Sequence, residues 1–367
     1  MHRSVYEYLL RGGIRRFLFS GSSTGKLPEI EWLDFPRVQI KKPMIAVDGS
    51  YKGRVVDFGL IYAITGLALY QEDETIKDMG LSFVDVMEKN LFRQKHLSDF
   101  LSMFMKLAEL KNLLKVLKDS GEDHLVLMDG SFISDVITPQ PTYEWVAHLG
   151  IKREEIEAYE EKISEISEEI EERFWEEDFA FLNLTESFSG DDLPVRAYAA
   201  SKLLYHEYLL SLSKLTELKN PIIFIAKDSF SSDFVRVWEI REFLTDQVMF
   251  NACTFNRAGY ALPIPAMLEE KKKYLPPKFV GILDLEIYQT FVRFQPIAFS
   301  TYKVEILNVQ EDEIGPYLSY VAATSPRGYP FLLEMAHREA VITEKDIEMV
   351  GEKVFPFGKS PRFYLNG

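Results

Sequence analysis

Apolar residues along the chain repeat with two different periods. The run PMIAVDGS at 43–50 is a short apolar stretch that closes on Asp-Gly, a turn signal. The following VVDFGLIYAITGLALY, at 55–70, is dense in β-branched and aromatic residues and predicts one or two further strands. From 88 to 118 the period changes. Met103, Leu107, Leu110, Leu114 and Leu117 recur at helix spacing, which predicts one long helix. HLVLMDGS at 124–131 then repeats the earlier pattern of an apolar strand closed by Asp-Gly-Ser. A second amphipathic helix is expected over 195–218, and PIIFIAKDS at 221–229 reads as another buried strand ending in polar residues. After the loop ALPIPAMLEEKKKYLPP come two β-rich stretches, 279–293 and 299–309, and helices near 314–323, 330–341 and 344–350. Strands early and helices late suit an α/β fold with a mixed β-sheet flanked by helices better than a regular βαβ repeat.

Residues 1–35 read as an N-terminal helical arm and linker. The segment GSSTGK within it is superficially similar to a P-loop, but it lacks the G-x-x-x-x-G-K-[ST] spacing and has Leu27 where Ser or Thr should stand. Residues 36–367 are expected to form one elaborated domain. Its most polar stretch, 150–178, is acidic and helix-forming, and reads as a helical insertion at about 150–180 that projects as a helix or hairpin. It is either a solvated face or a surface for a partner or a second copy.

A chain of 367 residues that is 47% hydrophobic and 27% charged can bury a large core as an ordinary globular protein. No apolar run approaches the roughly 20 residues needed to cross a bilayer. The arginine-bearing start has no apolar core or small-residue cleavage site and reads as an amphipathic helix. Cys253 is the only cysteine, which excludes an intrachain disulfide and a Cys-based zinc site. These features together point to the cytoplasm. The Glu and Lys richness resembles thermophile composition. The net charge of −15 argues against a protein that coats nucleic acid nonspecifically. It leaves room for a site whose carboxylates are balanced by bound cations.

The twin Asp-Gly-Ser motifs carry the first candidate chemistry. A buried strand delivers its last residue to the sheet's edge, where open α/β sheets bind ligands. Glycine after it lets the chain turn or approach a ligand closely. Asp48 and Asp129 are therefore candidates for one shared site, if their strands lie side by side, and oxygen ligands suit Mg²⁺ or Mn²⁺. The alternative is a pair of ordinary Asp-Gly turns with a capping Ser. Glu109 lies on the helix face of Met105, Leu113 and Val116. A carboxylate there is either paired or metal-bound, because burial alone is costly, or sits at the stripe's margin. His337 shares a helix face with Leu333 and Val341, so it is a core histidine or a ligand and proton carrier. Lys227, at the polar end of a strand, either faces a phosphate or reaches solvent.

Taken in order, V-D-G-S at 47–50, the helix with Glu109, L-M-D-G-S at 127–131, I-A-K-D-S at 225–229 and G-Y-P-F-L-L-E-M-A-H-R at 328–338 resemble the NurA nucleases of archaea and some bacteria. The likeness runs over roughly 40–345, and its specificity lies in order and spacing. It implies an RNase H-like core, a homodimer, and Mn²⁺- or Mg²⁺-dependent degradation of single- and double-stranded DNA. It further implies 5′-to-3′ exonuclease and single-strand endonuclease activity in double-strand-break end resection, with a HerA-type hexameric ATPase. By the same resemblance Asp48, Glu109, Asp129 and His337 are the metal ligands, and Lys227 matches a lysine near the site. The acidic insertion has no motif that aligns.

Phosphodiester hydrolysis needs an activated water, charge neutralisation on the phosphate and help for the leaving oxygen. Two cations about 4 Å apart supply all three. In this scheme Asp48 contacts both ions, Asp129 and Glu109 hold one each, His337 completes the set, and Lys227 offsets charge on the phosphate. For the DNA itself the candidates are Lys41, Lys42, Lys52 and Arg54 beside the first acidic strand, then Lys271, Lys272 and Lys273, with Tyr51 and Tyr274 for stacking. Tyr302 and Arg338 are weaker candidates for the same task. The competing reading is a noncatalytic DNA-end adaptor for a motor ATPase. A third, an actin-like nucleotide-binding enzyme, needs a glycine-rich adenosine loop that the second half of the chain lacks.

Overall fold

The computed structural model describes residues 28–354, apart from 38–39, 41, 57–58, 73–74, 89, 121–122, 241–242 and 298–299. The expected N-terminal helix, the GSSTGK segment and Lys41 lie outside the described residues. The strands are β1 (Trp32–Leu33), β2 (Met44–Val56), β3 (Gly59–Glu72), β4 (Thr75–Glu88), β5 (Leu125–Asp129), β6 (Ile222–Ala226), β7 (Gly259–Ala261), β8 (Ile264–Pro265), β9 (Ile287–Arg293) and β10 (Tyr302–Leu307). Among the described residues, six helices have ten or more residues: α1 (Gln94–Ser120), α2 (Glu160–Arg173), α3 (Leu193–Thr216), α4 (Glu311–Ala323), α5 (Phe331–Ala340) and α6 (Glu344–Val354).

Among the described residues, all ten strands join one mixed sheet in the order β1-β7-β9-β10-β6-β5-β2-β3-β4, with β8 paired to β9. Strands β2, β3 and β4 form an antiparallel meander, while β5 runs parallel to β2 and β6 parallel to β5. The mixed sheet expected from the sequence is present, its arrangement is compatible with the RNase H-like core that the resemblance implies, and antiparallel strands extend it at one side. The central strands are buried on both faces, so they read as unbroken apolar runs. Alternation still sorts their side chains. Ile45, Val47, Val126, Met128 and Phe224 join the core under α1 and α3, whereas Met44, Ala46, Leu125, Leu127 and Ile225 join the core under α4 and α5.

Residues 279–283, expected to be β-rich, lie in a 3-10 helix and the strand starts at Ile287; three larger elements also differ from the sequence reading. The first strand does not stop at Asp48-Gly49; it runs on to Val56, because β3 offers it a partner along its whole length. Residues 75–88 form a long strand, so α1 starts at Gln94 rather than near 88. The acidic insertion does not project. Ile163, Ile166 and Ile170 of α2 are buried in the core shared with α3, and Glu161, Glu165, Glu168, Glu169 and Glu172 face solvent. One apolar residue every three or four positions is enough to seat a helix whose composition is otherwise acidic.

Candidate metal centre

Strand alternation fixes where the two acids point. Asp48 continues the face of Met44 and Ala46, and Asp129 continues the face of Leu125 and Leu127. Their strands are adjacent and parallel, with Val47 opposite Met128, so both carboxylates emerge beside each other on the α5 side. Helix α5 buries Leu333 and Ala336 against that face and presents His337 next to them. His337 Nδ1 lies 2.7 Å from Asp48 Oδ2. Asp48 Oδ1 accepts the Gly49 amide at 2.8 Å, and Asp129 Oδ2 accepts Lys227 Nζ at 2.6 Å. Asp48, Asp129 and His337 each offer one ligand atom, and the three atoms lie within 4.8 Å of one another.

Burial pushes the Asp48 carboxyl above its ordinary range; the Gly49 amide opposes this, Asp129's charge adds to it, and His337 opposes it. Two carboxylates held close in a partly dry site repel each other until a positive charge stands between them. The donor set of oxygens and one imidazole nitrogen suits a divalent cation such as Mn²⁺. His337 is half exposed, with 53% of its side chain open to solvent, so it is not a core histidine.

Glu109 is buried, at 8% exposure, but on the other side of β2. Its carboxylate fills the space over Gly49: a Cβ built there would come within 2.5 Å of Glu109 Oε1. Burial raises the Glu109 pKa to about 8; Lys106 opposes the rise, and Asp48, Asp135 and Asp129 add to it. Lys106, one turn earlier on α1, pairs with Asp135 in the short helix Phe132–Val136 that follows β5. The two Asp-Gly steps are therefore not equivalent. Gly49 is extended chain that makes room for Glu109, whereas Gly130, at φ 107°, is a true turn that only glycine takes without strain.

Other sequence candidates fall in different places. The Tyr302 ring stacks on Phe294 at 5.9 Å and meets Tyr329 at 5.4 Å, beside the acids. Arg338 is exposed next to His337. Lys52 and Arg54 lie further along β2 and pair with Glu344 and Glu348 of α6 at 2.7 and 2.6 Å. Lys42 pairs with Asp123, and Tyr51 bonds Ser98 at 3.1 Å. Lys272 is tied to Glu269 and Asp284, and Lys273 lies over the Tyr274 ring.

Sequence reasoning missed three residues. Tyr329 packs under Lys227, whose Nζ is 4.8 Å from the ring centre, and its hydroxyl is buried beside Asp129. Burial, then the charges of Asp129 and Asp48, hold that phenol well above its ordinary range. It sits eight positions before His337 in the run G-Y-P-F-L-L-E-M-A-H-R, and nothing local marks it. Glu305 is the one acid in the strand YKVEIL and accepts Ser131 Oγ at 2.8 Å and the Ile133 amide at 3.0 Å, which anchors the chain after Asp129. Lys106 could have been found as a basic residue one turn from Glu109.

The NurA domain matches residues 42–342 of this chain. The "DNA double-strand break repair nuclease NurA" of Sulfurisphaera tokodaii is 21% identical over 95% of this chain and 94% of its own length. The protein of the same name from Sulfolobus acidocaldarius is 23% identical, covering 87% of this chain and 83% of its own. The structure described as "NurA bound to dAMP and manganese" superposes with a TM-score of 0.70 at 17% identity, over 99% of this chain and 96% of that one, so the fold is shared.

Proposed function

The chain belongs to the NurA family, and from that premise we propose that it is a divalent-metal-dependent deoxyribonuclease acting in double-strand-break repair. The observation that carries the reading is the meeting of Asp48, Asp129 and His337 from three separate elements within 4.8 Å. Asp48, Asp129 and His337 would hold Mn²⁺, or Mg²⁺ in its place. Glu109, on the other side of β2, would serve a second ion. Cations bound there would neutralise the scissile phosphate and activate a water. Lys227 stands beside Asp129 to balance charge growing on the phosphate, and Tyr302 and Arg338 flank the strand.

The test is cleavage of single- and double-stranded oligonucleotides with Mn²⁺, with Mg²⁺ and in EDTA. Cleavage with Mn²⁺ and none in EDTA is expected; full activity in chelator overturns the metal-dependent reading. The finer reading is 5′-to-3′ exonuclease and single-strand endonuclease activity, by a cytoplasmic homodimer of single-domain chains beneath a HerA-type hexameric translocase. End-labelled substrates report polarity. Light scattering after size exclusion reports the assembly, and a monomer that never co-elutes with that ATPase overturns the partnership.

A further inference from the structure

A pocket opens at the C-terminal ends of β5 and β6, with a volume of about 390 Å³. Strand register places it on the opposite face of the sheet from the two acids. Its floor residues Lys303 and Gln289 stand opposite Ala226 and, through Glu305, Phe224, and so share the α1–α3 face. Asp129, opposite Ile225, faces the other way. We propose that this pocket, at the same edge of the sheet as the metal centre but on its other face, takes a phosphate group of the DNA strand being cut; the proposal rests on the nuclease reading.

The floor is built from buried polar groups. Lys303 is 8% exposed, and among the described residues its ammonium pairs with Glu305, at 3.0 Å. An ammonium has three donors, so two remain for a ligand. Gln289 is 1% exposed, and its Oε1 has no hydrogen-bond partner among the described residues. A buried amide without a partner is costly unless something in the pocket satisfies it. The amide can turn its nitrogen inward to donate.

Above the floor, Arg236 is steadied by Ser232 Oγ at 2.9 and 3.1 Å, and Lys271 lines the same wall. Lys271 is the member of the basic run 271–273 that reaches this pocket. Phe230, 92% exposed, stands at the lip, where an unpaired base can stack on it. Asp228, Asp233 and Glu270 also reach the lining, so the net charge there is small. That balance disfavours a free anion and favours a phosphate delivered as part of a strand, whose neighbouring base adds the stacking contact.

The experiment measures binding of 3′-fluorescein single-stranded 12-mers by anisotropy, with Ca²⁺ replacing Mn²⁺, over a range of salt. Arg236→Ala/Lys271→Ala is expected to weaken binding about 5- to 20-fold. It should also flatten the logarithmic salt slope by about 0.7, the share of one phosphate held on a single strand. Phe230→Ala should cost about 5-fold or more. In Mn²⁺ the variants should raise KM with kcat within about two-fold, because the pocket holds the strand without touching the reacting atoms. Oligonucleotides with a 5′-phosphate or a 5′-hydroxyl separate the sources. An equal drop on both assigns the pocket to a backbone phosphate; a drop confined to the phosphorylated strand assigns it to the terminal one. Inorganic phosphate should compete poorly. If wild type binds and cleaves while all variants keep its affinity and slope, the pocket proposal alone fails. If wild type neither binds DNA nor cleaves it with Mn²⁺, the nuclease reading fails and takes the pocket with it.

Discussion

His337 Nδ1 and Asp48 Oδ2 meet at 2.7 Å across the contact between α5 and β2, although 289 positions separate them in the chain. The imidazole is held by the acid it would share a cation with. Removing either acid should therefore cost metal binding more than folding. Asp48→Asn and Asp129→Asn delete a negative ligand while keeping volume. Each should lower nuclease rate by about 100-fold or more, beyond the 10- to 100-fold typical of losing a supporting partner. Wild type should gain a few degrees of melting temperature at Mn²⁺ concentrations about 100 times the Kd, and both variants should lose most of that gain. Near-wild-type rates with saturating metal in both would remove these acids from the site.

Gly49→Ala tests Glu109 without touching it. The new Cβ would stand 2.5 Å from Glu109 Oε1 and 2.9 Å from Glu109 Cγ and Met105 Cγ. Two of the three are Cγ atoms near the helix backbone, so the folding cost should fall in the overpacking range of about 1–3 kcal/mol. Nuclease rate should fall about 10-fold or more, because Glu109 is the group displaced. A melting temperature and a rate that both stay at wild-type values would make Glu109 a bystander.

The central sheet was legible because its strands are buried on both faces and carry long apolar runs, and α1 because Met103, Leu107, Leu110, Leu114 and Leu117 hold helix spacing. Strand β4 was not. It is an edge strand whose sequence TIKDMGLSFVDVME is mostly exposed, so no apolar run marks it, and its partner β3 supplies the order. Asp48 and Asp129 stood out because each ends an apolar run. Tyr329 did not, since its part is defined by Lys227 and Tyr302, which lie far from it in sequence. The face of β2 on which Glu109 would sit was also hidden, because it depends on Gly49 staying extended rather than turning.

His206 gives the fold an acid-sensitive point away from the metal centre. Its ring meets Phe279 edge-on at 5.1 Å, and Nε2 is buried without a partner among the described residues. Burial, helped by Lys278 and opposed by Glu171, lowers its pKa to about 4 from the ordinary 6.5. The unfolded chain therefore takes up the proton first as pH falls. Stability from this group is full above pH 6.5 and declines down to about pH 4, by at most about 1.4 kcal/mol per pH unit. Denaturant titrations of His206→Phe, which keeps the aromatic contact, should show a shallower decline than wild type over that window. Parallel curves would mean the histidine is already charged in the fold.

Glu109 makes the opposite trade, and it ties stability to metal. With its pKa raised to about 8 from 4.5, the metal-free fold prefers the neutral acid, while the unfolded chain releases the proton far earlier. Stability from this group is full below pH 4.5 and is lost as pH rises towards 8. Glu109→Gln keeps the neutral shape and has no proton to lose. In EDTA the variant should thus match wild type near pH 4.5 and become progressively more stable than it up to about pH 8. Above that pH the gap should hold constant. Mn²⁺ should reverse the ranking, because only the carboxylate gains from a nearby cation, and the variant should bind metal and cut DNA poorly. A gap in EDTA that does not change with pH would show that Glu109 is ionised in the metal-free fold. A gap that opens with pH but persists unchanged in Mn²⁺ would leave the burial intact and strip the residue of its place beside the ion.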